Sequence, residues 1–533
     1  MIYPDYVIKN AQVITVDRNN SIKDALAVYG DKIVYVGDND GAERCIGRKT
    51  RVIDAQGNSV LPGFIDAHMH LAHLGQDLKW IDCSSRVART IDDIKRLIRE
   101  GAAGYPKGSV IRAFHYDQTS LEGGRHPTRY DLDEAAPDHI VILTHLSYHM
   151  GTFNTRALER AGVDASTPDP VGGVYARENG VLTGFAMENA FFRTAGQFPV
   201  TYEEMREGLL LADAHLSKLG VTSIHDAGNG ALFLRVLSNL KAASQINTRV
   251  YAMILSPEDN MEFIDKFSGI GFHTGIGDAS FKMGPVKLLL DGAMKGETAA
   301  LLESYSHNEN SFGMLSFDQD TVNEKILKAH LDDYQVTAHA LGDRAIVQLL
   351  DAYENAFGVK AAKDSRFRIE HCAVVNDDIL ERIKSMSLIP VIQPVFMFEL
   401  GDTYNKFIGG RVDKTKCAKS FAERGITACF STDCPVCGPD PFVNLYAACV
   451  RKTATGAPIG RSQIVSIYDA IRMYTLNCAY AAFEDDIKGS LEPGKLADLI
   501  IVSKPLGGLD PEELRSVRTV FTMIGGKPVW DAC

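Results

Sequence analysis

Apolar positions recur along this chain with two different periods, and the change from one to the other divides it into regions. Residues 5–60 carry short β-type runs, YVIKNAQVITVD, ALAVYGDKIVYVG and TRVIDAQGNSVLPG, with turn signals between them, which predict a small sheet or sandwich. Near the C-terminus KLADLIIVS and TVFTMIGGKPVWD resume that texture, so the two ends are expected to meet in one composite β domain, 1–60 plus 485–533. Between them, over 61–484, apolar strand-like runs alternate with helical patterns, as in βα units around a parallel sheet. The strand candidates are VLPGFIDAHMH, VTSIHDAG, RVYAMIL, GPVKLLLDG, YQVTAHALGD, RFRIEHC, LIPVIQP and ITACFSTDCP. TVNEKILKAHLDD and RAIVQLLDAYENAF place apolar residues three and four apart, as amphipathic crossover helices do. Count and order predict a TIM-like (β/α)8 barrel.

One connection is anomalous. About 140 residues separate the first two strand candidates, far more than a barrel connection needs. Residues 75–200 are therefore expected to form an inserted subdomain, with strands VIRAFHYD and HIVILTHLSYH and Pro/Gly-rich turns such as STPDPVGGVY. Springing from the C-terminal end of the first strand, it is expected to overhang the active-site mouth. The predicted class is thus α/β: a TIM-like barrel, a composite β-sandwich domain from both termini, and a large insert after the first barrel strand.

Composition fits a multi-part enzyme, since 533 residues with 45% apolar exceed the needs of one small core. The net charge of -12 and the lack of a long Lys/Arg block argue against a polyanion-binding surface, so no nucleic-acid partner is expected. MIYPDYVIKNAQVITVD lacks a basic stretch followed by an apolar h-region, and no window approaches the ~18 uninterrupted apolar residues of a membrane helix. Ten cysteines, mostly inside apolar runs such as ITACF and YAACV, read as reduced, buried thiols. The expectation is a soluble cytoplasmic protein with a small-molecule substrate and no membrane partner; self-association into a homo-oligomer stays open.

The chemistry begins at His68-Met69-His70. Residues two apart on a strand face the same side, so both imidazoles point towards the barrel axis and can hold one metal. Four further candidates, Lys287, His339, His371 and Asp433, fall near the C-terminal ends of later strands, the face on which barrel enzymes place their chemistry.

PGFIDAHMHL, LDGAMKGETAALLESY, TAHALGDRA, RIEHC, VIQP, STDCP and GSLEPGKLADLIIV together resemble the amidohydrolase superfamily over nearly the whole chain. YDQTSLEGG, PTRYDLD, HLSYHMGTFNTRALERAG and PDPVGG in the insert resemble the branch that contains N-substituted formamide deformylase. The resemblance implies that His68 and His70 bind the more buried of two divalent ions and His339 and His371 the more exposed one, zinc or a similar metal. Lys287, carrying a carbon dioxide-derived carbamate, would bridge them. The alternative for Lys287 is a pairing with a carboxylate such as Asp291. Asp433 resembles the family's eighth-strand aspartate, a ligand that also takes the proton of the attacking water and returns it to the leaving nitrogen.

The implied activity is a metal-dependent amidohydrolase acting on carbon–nitrogen bonds other than peptide bonds: an amide, formamide or cyclic amide of a small organic molecule. A metal-dependent deaminase, isomerase or decarboxylase on the same barrel, or a non-catalytic regulatory homologue, are the competing readings. A bridging lysine argues against the usual one-metal deaminase. In the insert His149 and Tyr148 are candidates for substrate contact, with a structural role the alternative. His225 and Asp226 are candidates to orient metal ligands or to cap a strand. Asp343 and Arg344 are expected to pin a loop and start a helix. Tyr148, Tyr116, Phe396 and Phe398 hint at an aromatic substrate or, as plainly, at core packing. Cys434 and Cys437 form a lone CxxC without thioredoxin-like context. GIGFHTGIG, which follows no clear strand and opens no helix, is expected to be a turn.

Overall fold

The computed structural model describes residues 3–228, 230–255, 262–361 and 363–532. The chain folds into two compact units, Met1–Ala72 with Ala212–Cys533, and His73–Leu211. The first unit contains an eight-stranded sheet in simple order: β1 (Phe64–Met69), β2 (Val221–Asp226), β3 (Arg249–Leu255), β4 (Phe281–Leu289), β5 (Val336–Ala340), β6 (Arg368–His371), β7 (Ile389–Ile392) and β8 (Cys429–Phe430). Each strand pairs in parallel with the next. β1 is buried throughout, its polar Asp66 and His68 included.

β8 is only two residues long, and the seam back to β1 is closed beyond its end. Asp433 N–H donates to the His68 carbonyl and His70 N–H to the Cys434 carbonyl, each at 2.8 Å. One buried side chain reinforces that seam. Asp66 of β1 accepts from Thr432 Oγ1 (2.6 Å), Thr432 N–H (3.1 Å) and the Tyr474 hydroxyl (3.2 Å). Burial outweighs these bonds and pushes its carboxyl up to about 6.

The crossover helices begin where sequence chemistry allows. Asp318 caps Gln319–Leu331 by accepting from Thr321 N–H, Asn376 caps Asp377–Ser385, and Asp440 followed by Pro441 opens Pro441–Val450. Gly220, at φ 82, joins a helix to β2; a Cβ there would meet Thr519 Oγ1 at 2.8 Å. GIGFHTGIG is the turn before β4: Gly277 lies at φ 124, and a Cβ there would sit 2.1 Å from the Phe281 carbonyl.

Both termini contribute to a sandwich. Leu499–Val502 pairs antiparallel with Ser59–Pro62, which pairs in parallel with Gln12–Ile14, while Thr519–Ile524 and Lys527–Asp531 extend the same sheet. The second layer holds Lys32–Gly37, Ala25–Tyr29, Tyr6–Lys9 and Arg51–Asp54. Ile8, Leu26, Val28, Val60, Leu499, Ile501 and Phe521 fill the space between the layers. An ion pair ties the sandwich to the barrel: Arg249, at the start of β3, gives Asp498 two bonds at 2.6 and 3.0 Å. Gly63 separates the sandwich strand Ser59–Pro62 from β1, and a Cβ there would collide with Thr222 at 2.2 Å.

The second unit is an α/β body of its own. Its sheet runs Gly173–Glu178, Val181–Glu188, Met150–Phe153, Ile140–His145, Val110–Tyr116, Ile81–Asp82, the last three strands being parallel. The helix Ile91–Ala102, opened by a Thr90/Asp93 capping box, buries Ile94, Ile98 and Ala102 at four-residue spacing against this sheet's core. Among the described residues no helix is long and apolar enough to cross a membrane.

Candidate metal centre

The geometry of β1 begins with a carboxylate from another strand. His68 Nδ1–H donates to Glu370 Oε2 at 2.5 Å, and an ionised carboxylate only accepts, so the lone pair of His68 is left on Nε2. That Nε2 lies 3.4 Å from Asp433 Oδ1, and His70 Nε2 lies 3.3 Å from the same oxygen. Donor atoms of His68, His70 and Asp433 all fall within 4.8 Å of one another, a grouping of two imidazoles and a carboxylate that suits a borderline divalent ion such as zinc. Lys287 Nζ, from β4, is 3.2 Å from His68 Nε2.

His371 and His339 adjoin this trio as a row of rings. The His371 centroid is 4.8 Å from that of His68, and the His339 centroid is 4.3 Å from that of His371. His339 turns Nε2 to the Gly292 carbonyl at 3.0 Å and to Asp291 Oδ1 at 3.3 Å. Asp291 is not the partner of Lys287: it accepts from the amides of Ala300, Leu341 and Gly342, each at 2.9 Å. Two positions at the mouth hold a left-handed backbone that non-glycine residues adopt at a cost of about 1–3 kcal/mol: His371 at φ 70 and Asp433 at φ 58.

Burial sets the protonation. It pushes His68 down to about 4, with the Lys287 charge adding to the effect, and holds His371 well below its ordinary value. Burial alone would raise Asp433, yet His68 and His70 beside it hold the carboxyl at about 2. Lys287 is lowered, chiefly by desolvation. His68 and His371 are therefore held as neutral imidazoles and Asp433 as an ionised carboxylate, the protonation states in which these groups ligate, beside a Lys287 whose charged form burial disfavours.

The ionic scaffold beneath the ligands was not singled out in the sequence. Glu370 Oε1 accepts from Arg368 Nε (2.8 Å) and Thr337 Oγ1 (2.7 Å), and Arg368 crosses the barrel to the Ala67 carbonyl (2.6 Å) and to His225 Nδ1 (2.8 Å). Burial would raise Glu370, but Arg368 and His68 hold it well below the carboxylate range. His225 thus acts through Arg368, while Asp226 accepts from Leu71 N–H at 2.9 Å. RFRIEHC carried a usable signal: Arg368 and Glu370 sit two apart and so share one face of a buried strand.

Asp343 accepts from Leu302 N–H, and Arg344 donates to the Gly313 carbonyl, so this pair pins the loop after β4 where the helix Asp343–Val359 starts. Phe396 stacks behind His371 at 6.4 Å, Phe398 packs against Tyr446, and Tyr116 is fully buried in the core of the second unit. Cys434 and Cys437 are buried free thiols, and burial with Glu399 nearby pushes Cys437 well above its ordinary value, which disfavours a thiolate. Every described cysteine is free. In the second unit the Tyr148 hydroxyl meets His115 Nε2 at 2.6 Å and Asp77 Oδ1 at 3.3 Å, and His149 Nδ1 meets Glu188 Oε2 at 3.0 Å.

The amidohydrolase family model matches residues 51–530. The chain belongs to the amidohydrolase family. This amidohydrolase is 27% identical to N-substituted formamide deformylase of Arthrobacter pascens over 98% of this chain and 97% of that protein. It is also 27% identical to Protein LONG AFTER FAR-RED 3 of Arabidopsis thaliana, over 99% and 92% of the two chains. A crystal structure of an uncharacterized metal-dependent hydrolase from Pyrococcus furiosus superposes with a TM-score of 0.78 at 26% identity, covering 95% of this chain and 99% of that one. With the cluster of His68, His70 and Asp433, these likenesses make the protein a metal-dependent hydrolase.

Proposed function

We propose that this amidohydrolase cleaves a non-peptide C–N bond (an amide, formamide or cyclic amide) in a small organic molecule. The observation that carries the reading is the convergence of His68 Nε2, His70 Nε2 and Asp433 Oδ1 beside Lys287, with His68 fixed by Glu370. His68, His70 and Asp433 would hold one divalent ion, zinc in our reading, and His339 and His371 a second. Such an ion, when bound, lowers the pKa of water towards ~7 and polarises the scissile carbonyl. Asp433 takes the proton of the attacking water on its carboxylate and returns it to the leaving nitrogen, a role for which it must stay ionised at neutral pH. The formamide branch of the resemblance supports N-formyl and N-acyl compounds as first substrates.

Lys287 is the proposed bridge between the two ions. Its neutral amine adds to carbon dioxide, forming an N–C bond as one C=O π bond opens and a proton leaves to solvent, and the resulting carbamate offers two anionic oxygens. Burial favours the neutral amine this addition needs. Lys287→Ala is expected to lose most activity, with short carboxylic acids restoring part of it; mass spectrometry of intact metal-loaded protein showing no added carboxylate mass would remove the bridge. The sequence-based proposal that Tyr148 and His149 contact substrate is read out by KM in Tyr148→Phe and His149→Ala.

The reading as a whole is tested by elemental analysis together with a hydrolysis screen of N-formyl, N-acyl and cyclic amides. One to two equivalents of zinc and turnover of one such class are expected. Folded, metal-free protein that hydrolyses an amide at the same rate would overturn it.

A further inference from the structure

Behind His371 lie two polar side chains that nothing described so far uses. Gln393 follows β7, and Lys416 precedes the short helix Ala418–Glu423. Both are completely buried. His371 Nδ1–H donates to Gln393 Oε1 at 3.1 Å, Lys416 Nζ donates to the same oxygen at 2.6 Å, and Gln393 Nε2 donates to Ser431 Oγ at 2.8 Å.

A primary amide has one accepting end and one donating end. If Gln393 flipped, the hydrogen that Lys416 Nζ gives to Oε1 would point at an amide NH2 group, which has no lone pair to receive it. Lys416 therefore selects the amide orientation in which oxygen faces His371, and an oxygen can be met only by Nδ1–H. The imidazole lone pair is left on Nε2.

Lys416 is also built into the backbone around that histidine. His371 and Cys372 form a left-handed pair at φ 70 and φ 38. Lys416 brackets it, donating from its amide to the Ala373 carbonyl at 2.9 Å and from Nζ to the His371 carbonyl at 2.9 Å. Lys416 itself lies at φ 46, and the buried Arg451 holds this turn by donating to the carbonyls of Thr415 (3.0 Å) and Lys416 (3.4 Å). No carboxylate pairs with Lys416 among the described residues; the Phe396 ring, 5.0 Å from Nζ, is its other neighbour. Burial without a paired carboxylate lowers the Lys416 amine to about 7. An apolar residue in this place would leave the Gln393 oxygen without the Nζ bond, and an acceptor-only residue would favour the flipped amide.

We propose that Lys416 is a positioning residue that, through Gln393, holds His371 in its Nδ1–H tautomer and so presents Nε2 to the metal centre. The purpose of the relay rests on the reading of His371 as a ligand.

The test uses full-length, metal-free protein labelled with ¹⁵N-histidine, in which long-range ¹H–¹⁵N spectra report each ring tautomer and His371 is assigned by its loss in His371→Gln. Wild type is expected to show His371 as Nδ1–H. Lys416→Met is expected to populate the Nε2–H form and to weaken zinc binding 10–100-fold in competition with a chelator. The double variant Lys416→Met/Gln393→Glu is expected to recover Nδ1–H, because a carboxylate has no donating end to turn; a residue that only fills space would not be rescued in this way. The Nε2–H tautomer in wild type overturns the proposal without recourse to any variant that fails to fold. So does a folded Lys416→Met with unchanged tautomer and affinity, or a double variant that stays at Nε2–H. Wild type with Nδ1–H but no affinity for zinc upholds the relay and refutes the metal-ligand reading instead.

Discussion

Strands of the barrel and of the inserted unit both carry histidine at the last or next-to-last position: His68, His339 and His371 in the barrel, His115 and His145 in the insert. In the barrel the rings converge. β1 and β8 are joined by hydrogen bonds across the seam, so side chains at successive strand ends face a common axis, and one donor of each pair is occupied from behind, His68 by Glu370 and His371 by Gln393. In the insert the sheet is open, and each ring finds its own local partner. His115 meets Tyr148, His126 meets the Tyr116 hydroxyl at 3.0 Å, His145 meets Ser147 at 2.9 Å, and His149 meets Glu188. Among the described residues only His68, His70 and Asp433 group tightly enough to hold an ion. Histidine at a strand end thus becomes part of a candidate ligand set through closure of the sheet and support from below, and residue type alone does not distinguish the two regions.

The sharpest way to break this comparison is to remove two histidines from each region. His68→Ala with His70→Ala should abolish metal retention and turnover, while His126→Ala with His145→Ala should leave metal per chain unchanged by elemental analysis. Metal lost equally from both pairs would mean that the insert also binds it. Next in size, Asp433→Asn keeps the shape of the side chain but removes the proton acceptor, and turnover should fall by on the order of 10²-fold or more with little change in metal content. Near-normal turnover would move the proton shuttle to another group.

The remaining two effects concern stability. Asp498→Ala leaves Arg249 buried without its partner and should cost about 3–5 kcal/mol in denaturant melts of the unit holding the barrel. Asp498 is held below its ordinary value by Arg249 against burial, so its contribution is present above the ordinary carboxylate pKa and is lost as pH falls below it. The insert should respond with the opposite sign and less strongly. Burial raises Asp77 to about 7 from an ordinary 3.8, so the folded insert holds this proton where the unfolded chain has released it, and stability declines as pH rises between the two values, by ~4 kcal/mol at most. Limited proteolysis of the insert from pH 4.5 to 7.5 reads this directly. In Asp77→Asn the decline should flatten; an unchanged slope would place the proton elsewhere.

The barrel was legible in the sequence because its strands are largely buried runs, several with a polar residue near or just beyond the C-terminal end, a pattern that survives without knowledge of packing. The six candidate ligands are all read from such ends. What escaped had physical reasons. VLPGFIDAHMH reads as one strand, yet Ser59–Pro62 belongs to the sandwich and Phe64–Met69 to the barrel, with the break at Gly63, where the distant Thr222 leaves no room for a side chain. ITACFSTDCP shortens to Cys429–Phe430 because the closure of the barrel is made by the loop beyond it. Lys416, in the stretch TKCAKS, has the local sequence of a surface lysine, and its burial depends on Arg451 and Gln393 arriving from far along the chain.

The pairing of Ser59–Pro62 with Leu499–Val502 also fixes a schedule. A ribosome that has made the first 60 residues must add more than four hundred others before the missing neighbour leaves the exit tunnel, which at about 5–20 residues per second takes on the order of tens of seconds. Throughout that interval Ser59–Pro62, though paired along its other side with Gln12–Ile14, presents an unsatisfied backbone edge of apolar residues, the kind of surface on which strands from other molecules assemble. The last thirty-five residues of the chain therefore act as a closing stitch, and a messenger truncated just before them would yield a nascent product bound for chaperones or aggregates even though every candidate metal ligand had already been translated.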